Sequence, residues 1–308
     1  MKKLVFLMLL IPAANFAQQQ YADTLYQPEI TTPAYPLNQG PRVYIDEAHH
    51  NFHTKDGRYR PFAELLTRDG CRVVASDLKF SPETLDSCDI LVVANPMNEI
   101  NEVQWYKPVY PAFNNIEVRA VHEWVLNGGS LFLIADHMPM AGGAANLASA
   151  FGYQFNDGFA TDTTRVGPDL FTLANGQLLS NEITDMNGIQ LDSIMTFTGQ
   201  IFDIPESANA ILKGGPTWVT YQPDTAWQID EHTPWIGADT LYQGAYQHYG
   251  KGKLVVFGEA AMFSAQIAEV NDQKFKAGMN RPGAGNNYKL LLNIIHWLDP
   301  RPGQSSAK

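Results

Sequence analysis

Ser130-Leu131-Phe132-Leu133-Ile134-Ala135-Asp136-His137 is the stretch that decides the fold. An unbroken apolar run ending in a polar turn reads as a strand buried on both faces. Such strands occur in parallel sheets covered by helices. Just before it, Ile116–Leu126 carries Val118, Val121, Trp124 and Val125 at helical spacing, and Asn127-Gly128-Gly129 stops it. The same alternation extends outward. Towards the N-terminus, Ile90–Ala94 and Arg72–Ala75 are continuous β-rich runs, expected to be buried on both faces. Arg42–Asp46 is a short β run ending in acid, and Tyr59–Arg68 has helical spacing through Phe62, Leu65 and Leu66. Towards the C-terminus, Gly142–Phe151 reads as a small-residue helix and Lys253–Phe257 as another buried strand. Ala260 to about Val270 reads as helical, and Asn286–Leu298 as a closing helix. Strands alternating with helices predict an α/β fold with a mostly parallel sheet and helices on both faces. Residues 156–250 break the rhythm with Thr, Gly, Pro and aromatics, and read as a β-rich insertion before the last core strand.

The chain has 308 residues, 45% of them hydrophobic and 17% charged, which excludes wholesale disorder. Twenty-one Lys and Arg stand against 32 Asp and Glu, a net charge of −11, with no basic cluster; no nucleic-acid partner is expected. Lys2 and Lys3, the apolar run Leu4–Ile11 and the small residues before Gln18 have the three-part layout of a secretory signal peptide cleaved after Ala17. An uncleaved N-terminal anchor is the alternative. The signal reading places the mature chain in the periplasm or outside the cell, with no membrane attachment beyond the export signal. In such an oxidising compartment Cys71 and Cys88 could pair, or remain two buried thiols. The expected organisation is a signal at 1–17, an irregular lead-in at 18–40, one domain at 41–299 and a tail at 300–308.

Ligands of open α/β sheets bind beyond the carboxyl ends of the strands. Four apolar runs deliver polar residues there. Val43-Tyr44-Ile45 leads into Asp46-Glu47-Ala48-His49-His50-Asn51-Phe52-His53, and Ile90–Ala94 into Asn95-Pro96-Met97-Asn98-Glu99. Leu131–Ala135 leads into Asp136-His137, and Leu254–Phe257 into Gly258-Glu259. Gathered carboxylates and imidazoles suit a divalent metal such as zinc or manganese, which would make a bound water nucleophilic. Asp46, His49, His50 and His53 are the expected ligands, with Asp136 and His137 able to join them. Asp136, His137, Glu259 and Glu47 are the expected catalytic groups, since a His–carboxylate pair also serves acid–base chemistry without metal. Asn51, Asn95 and Asn98 are the expected substrate-binding amides. The competing reading is that these groups cap helices and hydrogen-bond to one another.

No His-Glu-x-x-His, Cys-x-x-Cys or Gly-x-Ser-x-Gly pattern is present. Asp46-Glu47-Ala48-His49 spells a helicase acidic box, but no phosphate loop accompanies it, so no nucleotide is expected. Ser264 reads as a helix-surface or packing serine. The insertion holds Trp218, Tyr221, Trp227, Trp235, Tyr242, Tyr246 and Tyr249 among acids. These could stack on a sugar or simply fill a core.

The chain resembles the class I glutamine amidotransferase-like superfamily, and more closely an exported branch akin to trehalose-utilisation-like and gliding-motility-type domains. The resemblance rests on Val43–Asn51, Trp124–Leu131, Ala135-Asp136-His137, Gly258-Glu259-Ala260 and Asn293–Leu298, and covers roughly residues 41–155 and 250–299. It implies a flavodoxin-like three-layer sandwich with a pocket where Asp46, Asp136 and Glu259 meet. Enzymes of the superfamily place a nucleophilic Cys after the strand matching Leu131–Ala135. Here Asp136 and His137 occupy that turn, and of the usual His–Glu pair only Glu259 matches. Glutamine hydrolysis is therefore not expected. The expected function is a secreted hydrolase-like enzyme acting on a carbohydrate or related small polar substrate. A non-catalytic glycan- or protein-binding domain on the same scaffold is the alternative.

Overall fold

The computed structural model describes residues 19–270 and 273–301; the expected export signal at 1–17 and residues 302–308 lie outside them. In chain order the first half comprises β1 (Gln19–Ala22), β2 (Arg42–Asp46), α1 (Arg60–Arg68), β3 (Arg72–Ser76), α2 (Pro82–Leu85), β4 (Ile90–Ala94), α3 (Glu99–Val103), α4 (Asn115–Leu126), β5 (Ser130–Ile134) and α5 (Met140–Ala150). Eight short strands come next: β6 (Phe159–Asp162), β7 (Asp169–Thr172), β8 (Asp185–Met186), β9 (Ile189–Gln190), β10 (Ser193–Thr196), β11 (Asn209–Lys213), β12 (Trp218–Tyr221) and β13 (Trp235–Gly237). The chain continues through β14 (Tyr242–Tyr249), β15 (Gly252–Phe257), a 3₁₀ turn at Ala261–Phe263, β16 (Ala265–Val270), β17 (Gln273–Gly278) and α6 (Asn287–Leu298).

The main sheet has seven strands in the order β11-β14-β15-β5-β4-β2-β3. Neighbours from β15 to β3 pair in parallel, and β14 and β11 add an antiparallel margin. Parallel pairing sends the carboxyl ends of β2, β4, β5 and β15 to one edge. The register aligns Ala94 with Ile134 and Ile134 with Phe257 across that edge. Alternation then sorts the side chains. Val43, Ile45, Ala94, Ile134 and Phe257 pack with residues of α1 and α6 in one core. Leu91, Val93, Leu133, Ala135 and Val256 pack with residues of α2, α4 and α5 in the other.

Local sequence explains the element ends. Glu117 and Asn114 form a capping box that starts α4: Asn114 Oδ1 accepts from the amides of Ile116 and Glu117, and Glu117 Oε2 accepts from the Asn114 amide. Such a cap contributes about 1 kcal/mol and also fixes the direction of the Glu117 carboxylate. A proline in the first turn starts α1, whose Phe62, Leu65 and Leu66 are buried.

Three expectations need correction. Arg72–Ala75 is not buried on both faces: β3 is the sheet's edge strand, with one neighbour, and Val74 is 40% exposed. The segment 260–270 is not a helix. A single 3₁₀ turn ends at Ser264, whose backbone is extended, and β16 then pairs with β1 on one side and β17 on the other. Its helix-prone Glu-Ala-Ala-Met is overruled because both edges of the following segment find strand partners. The lead-in, expected to be irregular, supplies β1 to that three-stranded sheet. Cys71 and Cys88 are buried free thiols, one in each of the two cores. Among the described residues no helix is long and apolar enough to cross a membrane.

Candidate functional site

The acids and imidazoles of the carboxyl edge divide into two groups. The first is sealed. Asp46 ends β2, and both its oxygens lie 2.9 Å from His49 Nδ1, while His49 Nε2 lies 2.9 Å from Glu117 Oε1. Asn51 donates to Asp46 Oδ2 at 3.0 Å, and Asn51 Oδ1 accepts from the His49 amide. Phe80 and Phe113 close over the His49 ring, each 4.6 Å away. Burial raises the Glu117 pKa, but His49 and the Asn114 amide outweigh it and hold the carboxyl below its ordinary value. Every ring valence of His49 is used inside the protein.

The second group lines an open cleft of ≈ 1190 Å³ walled by Phe52, His53, Trp105, Asp136, His137 and Glu259, with Trp227 at its mouth. Asp136 and Glu259 stand two residues beyond Ile134 and Phe257, on the side of the sheet covered by α1 and α6. Three successive backbone amides hold them. Ala260 N–H donates to Asp136 Oδ1, Ala261 N–H to Glu259 Oε1 at 2.7 Å, and Met262 N–H to Glu259 Oε2 at 2.9 Å. Burial raises both carboxyl pKa values above the ordinary range despite these bonds, and the nearby Asp136 charge raises Glu259 further. Two buried carboxyls that disfavour each other's charge share protons between them.

Asn95 joins the two loops beside them. Its backbone is left-handed at φ 50°, a conformation Asn tolerates better than most residues. Asn95 Nδ2 donates to Asp136 Oδ2 at 2.8 Å, and its Oδ1 accepts from the Asp136 amide. Nδ2 also lies 3.2 Å from His53 Nδ1, so that nitrogen carries the lone pair and Nε2 the proton. His53 Nε2 faces the Gln266 amide at 3.4 Å. Turning that amide over gives the proton an acceptor in Gln266 Oε1, which otherwise has no partner. Burial, helped by Arg58, lowers the His53 pKa to about 3, and burial lowers that of His137 to about 4; both rings are neutral. His137 Nδ1 donates to the Met138 carbonyl at 2.7 Å, leaving Nε2 as an acceptor. The ring stacks on Phe159 at 4.3 Å and meets Trp227 edge-on at 4.6 Å.

Of the expected catalytic residues, Asp136, His137 and Glu259 thus share one cleft. Glu47 does not join them; its Oε1 accepts from the Lys55 amide. Of the expected amides, Asn95 supports Asp136, Asn51 belongs to the sealed cluster, and Asn98 caps α3. The four expected metal ligands are not gathered around one point. Asp46 and His49 bind each other, His50 faces Glu102 at the surface, and His53 lines the cleft. Among the described residues no group of three or more His, Cys, Asp or Glu side chains is arranged to hold a metal ion. The donor set does not fit one, because the ring nitrogens it would need are already bonded.

Sequence reasoning missed Arg58, Trp105, Gln266, Lys276 and Arg281, all of which line the cleft. None lies directly after a core strand, so no local signal marks them. Of the insertion's aromatics, Trp227 reaches the cleft, whereas Trp218 and Tyr246 are core residues.

No protein-family model and no curated protein matches the sequence. Among solved structures the chain is similar to one described as the mmIFT52 N-terminal domain, with 14% identity over 85% of this chain and 99% of that one, at a TM-score of 0.56. It is also similar to a ThuA-like protein from Bacteroides uniformis (14% identity, 86% and 95% covered, TM-score 0.47). A third is a GMP synthase subunit from Thermoplasma acidophilum (12% identity, 83% and 93% covered, TM-score 0.42). At these identities the likeness concerns the fold, and it rests on the first of the three.

Proposed function

We propose that the protein is an exported hydrolase acting on a carbohydrate or related small polar substrate. Its scaffold is an amidotransferase-like, flavodoxin-like three-layer sandwich without the nucleophilic Cys. The scaffold reading is supported by helices on both faces of the sheet and by Asp136-His137 in the turn after β5. The export reading is supported by the layout of residues 1–17.

One observation carries the catalytic reading: two acids of raised pKa, Asp136 and Glu259, meet in a cleft with aromatic walls. Glu259 keeps its proton more firmly and serves as general acid to the leaving group. Asp136 takes a proton from the attacking water, and neutral His137 accepts a hydrogen bond from water or a substrate hydroxyl at Nε2. Phe52, Trp105 and Trp227 offer apolar faces to a ring. No step is routed through a metal.

The test is turnover of a panel of nitrophenyl glycosides and oligosaccharides by wild type, Asp136→Asn and Glu259→Gln. We expect each variant to lose about 10²–10⁴-fold in kcat while remaining folded. Folded variants with undiminished turnover would overturn the assignment. A non-catalytic binding domain is the second reading, favoured by one detail: all four carboxylate oxygens of Asp136 and Glu259 already accept a hydrogen bond. On that reading ligand binding persists and no glycoside is turned over.

A further inference from the structure

We propose that the cleft takes a ligand bearing a carboxylate, a uronic-acid type of sugar, held at Arg58 with Lys276 and Arg281 at the rim. The sugar part of this proposal rests on the functional reading above; the anionic part rests on charge alone. Three cations line the cleft, and among the described residues none of them forms an ion pair. The groups that could neutralise them are silent: His53 and His137 are uncharged, and burial favours the protonated forms of Asp136 and Glu259. A protein with a net charge of −11 has therefore kept a positive recess. Such a recess concentrates and orients anions.

Arg58 is the focus. Its guanidinium lies 3.7 Å over the Phe52 ring, and its Nη1 donates to the Phe52 carbonyl at 3.1 Å. Its Nε is buried without any partner. Burial pulls its pKa below the ordinary arginine value, the sign of a charge that the protein itself leaves uncompensated. The side chain is nonetheless well placed. The Arg58 carbonyl accepts from Ser264 Oγ, tying the loop before α1 to the turn that carries Glu259. A planar guanidinium held flat on an aromatic ring matches a planar carboxylate better than it matches a neutral hydroxyl. Trp105 packs edge-on against Phe52 at 5.6 Å, which places a second ring beside the guanidinium. Arg281 comes from the other side of the cleft, where its Nη1 donates to the Lys276 carbonyl.

The test is calorimetric titration of the full chain with D-glucuronate, D-glucose and inorganic sulfate. Wild type should bind glucuronate at least about tenfold more tightly than glucose, as a charge-assisted contact requires. Arg58→Gln should abolish that preference, and added sodium chloride should weaken it. Arg281→Gln, on an accessible loop, should lower glucuronate affinity several-fold and covers the case in which Arg58→Gln does not fold. Equal affinity for glucuronate and glucose overturns the proposal. Sulfate binding as tightly as glucuronate and displacing it overturns the carboxylate assignment. The two readings fail separately. Arg58-dependent glucuronate binding without turnover of any glycoside removes the hydrolase and keeps the anion site. Turnover of neutral glycosides through Asp136 and Glu259 with no anion preference does the reverse.

Discussion

Asp46–His49–Glu117 and Asp136–His137–Glu259 use the same three residue types at the same edge of one sheet, yet they differ in what they leave open. In the first, His49 is bonded at both ring nitrogens and capped by Phe80 and Phe113. In the second, His137 keeps a free Nε2 and its neighbours line a cleft. A buried acid–imidazole cluster is thus a brace when its valences close on each other, and a candidate reaction centre when they face a cavity. Residue type does not separate the two cases; the hydrogen-bond inventory does.

Breaking the brace gives the largest expected effect. Glu117→Ala leaves His49 and Asp46 buried without their third member, and urea unfolding should register a loss of about 3–5 kcal/mol. Turnover per folded molecule should stay unchanged. A loss of kcat at constant stability would mean the two clusters work as one site.

The cleft predicts a pH signature that the brace does not. His53 and His137 are neutral in the folded chain, with pKa values lowered to about 3 and about 4, and take up protons on unfolding near their ordinary value of 6.5. Their contribution is complete above that value and is lost as pH falls through the window between 6.5 and the folded values. Each adds a slope of about 1.4 kcal/mol per pH unit within it. Asp136 and Glu259, with raised values, act oppositely, losing stability as pH rises through the ordinary carboxylate range. Denaturation curves at several pH values should therefore flatten by one proton's slope in His53→Phe. An unaltered slope in a folded variant would show that His53 is charged.

The smallest effect belongs to His50, an expected metal ligand that the fold leaves at the surface. It is exposed and paired only with Glu102 at 2.8 Å. His50→Ala should change stability by no more than about 0.5 kcal/mol and leave zinc content and turnover as in wild type. Loss of bound zinc in this variant would restore the ligand set expected from sequence.

Much of the parallel core was legible because buried strands advertise themselves as continuous apolar runs: β2 and β4 begin and end where their patterns do. Ala260–Val270 was not, because pairing with β1 and β17 is a long-range fact that outweighs local helix preference. Val74 misled for a related reason, since a β-rich run does not say whether both of its flanks will find neighbours. Asp136, His137 and Glu259 could be found by asking which residues come directly after each core strand. Arg58, Trp105 and Arg281 could not, since they reach the cleft from loops and from the β16–β17 region.

The amino-acid order alone established the alternation of strands and helices and delivered acids and imidazoles to one edge of the sheet. Which of them face a ligand was settled by side-chain alternation set within the packed fold. Asp46 lies one residue after Ile45 and so points away from the core that Ile45 enters, towards Glu117. Asp136 and Glu259 lie two residues after Ile134 and Phe257 and return to that core's side, where the cleft opens. The period of two is written in the chain, but which face is filled by a helix and which is left hollow depends on the packing of distant segments.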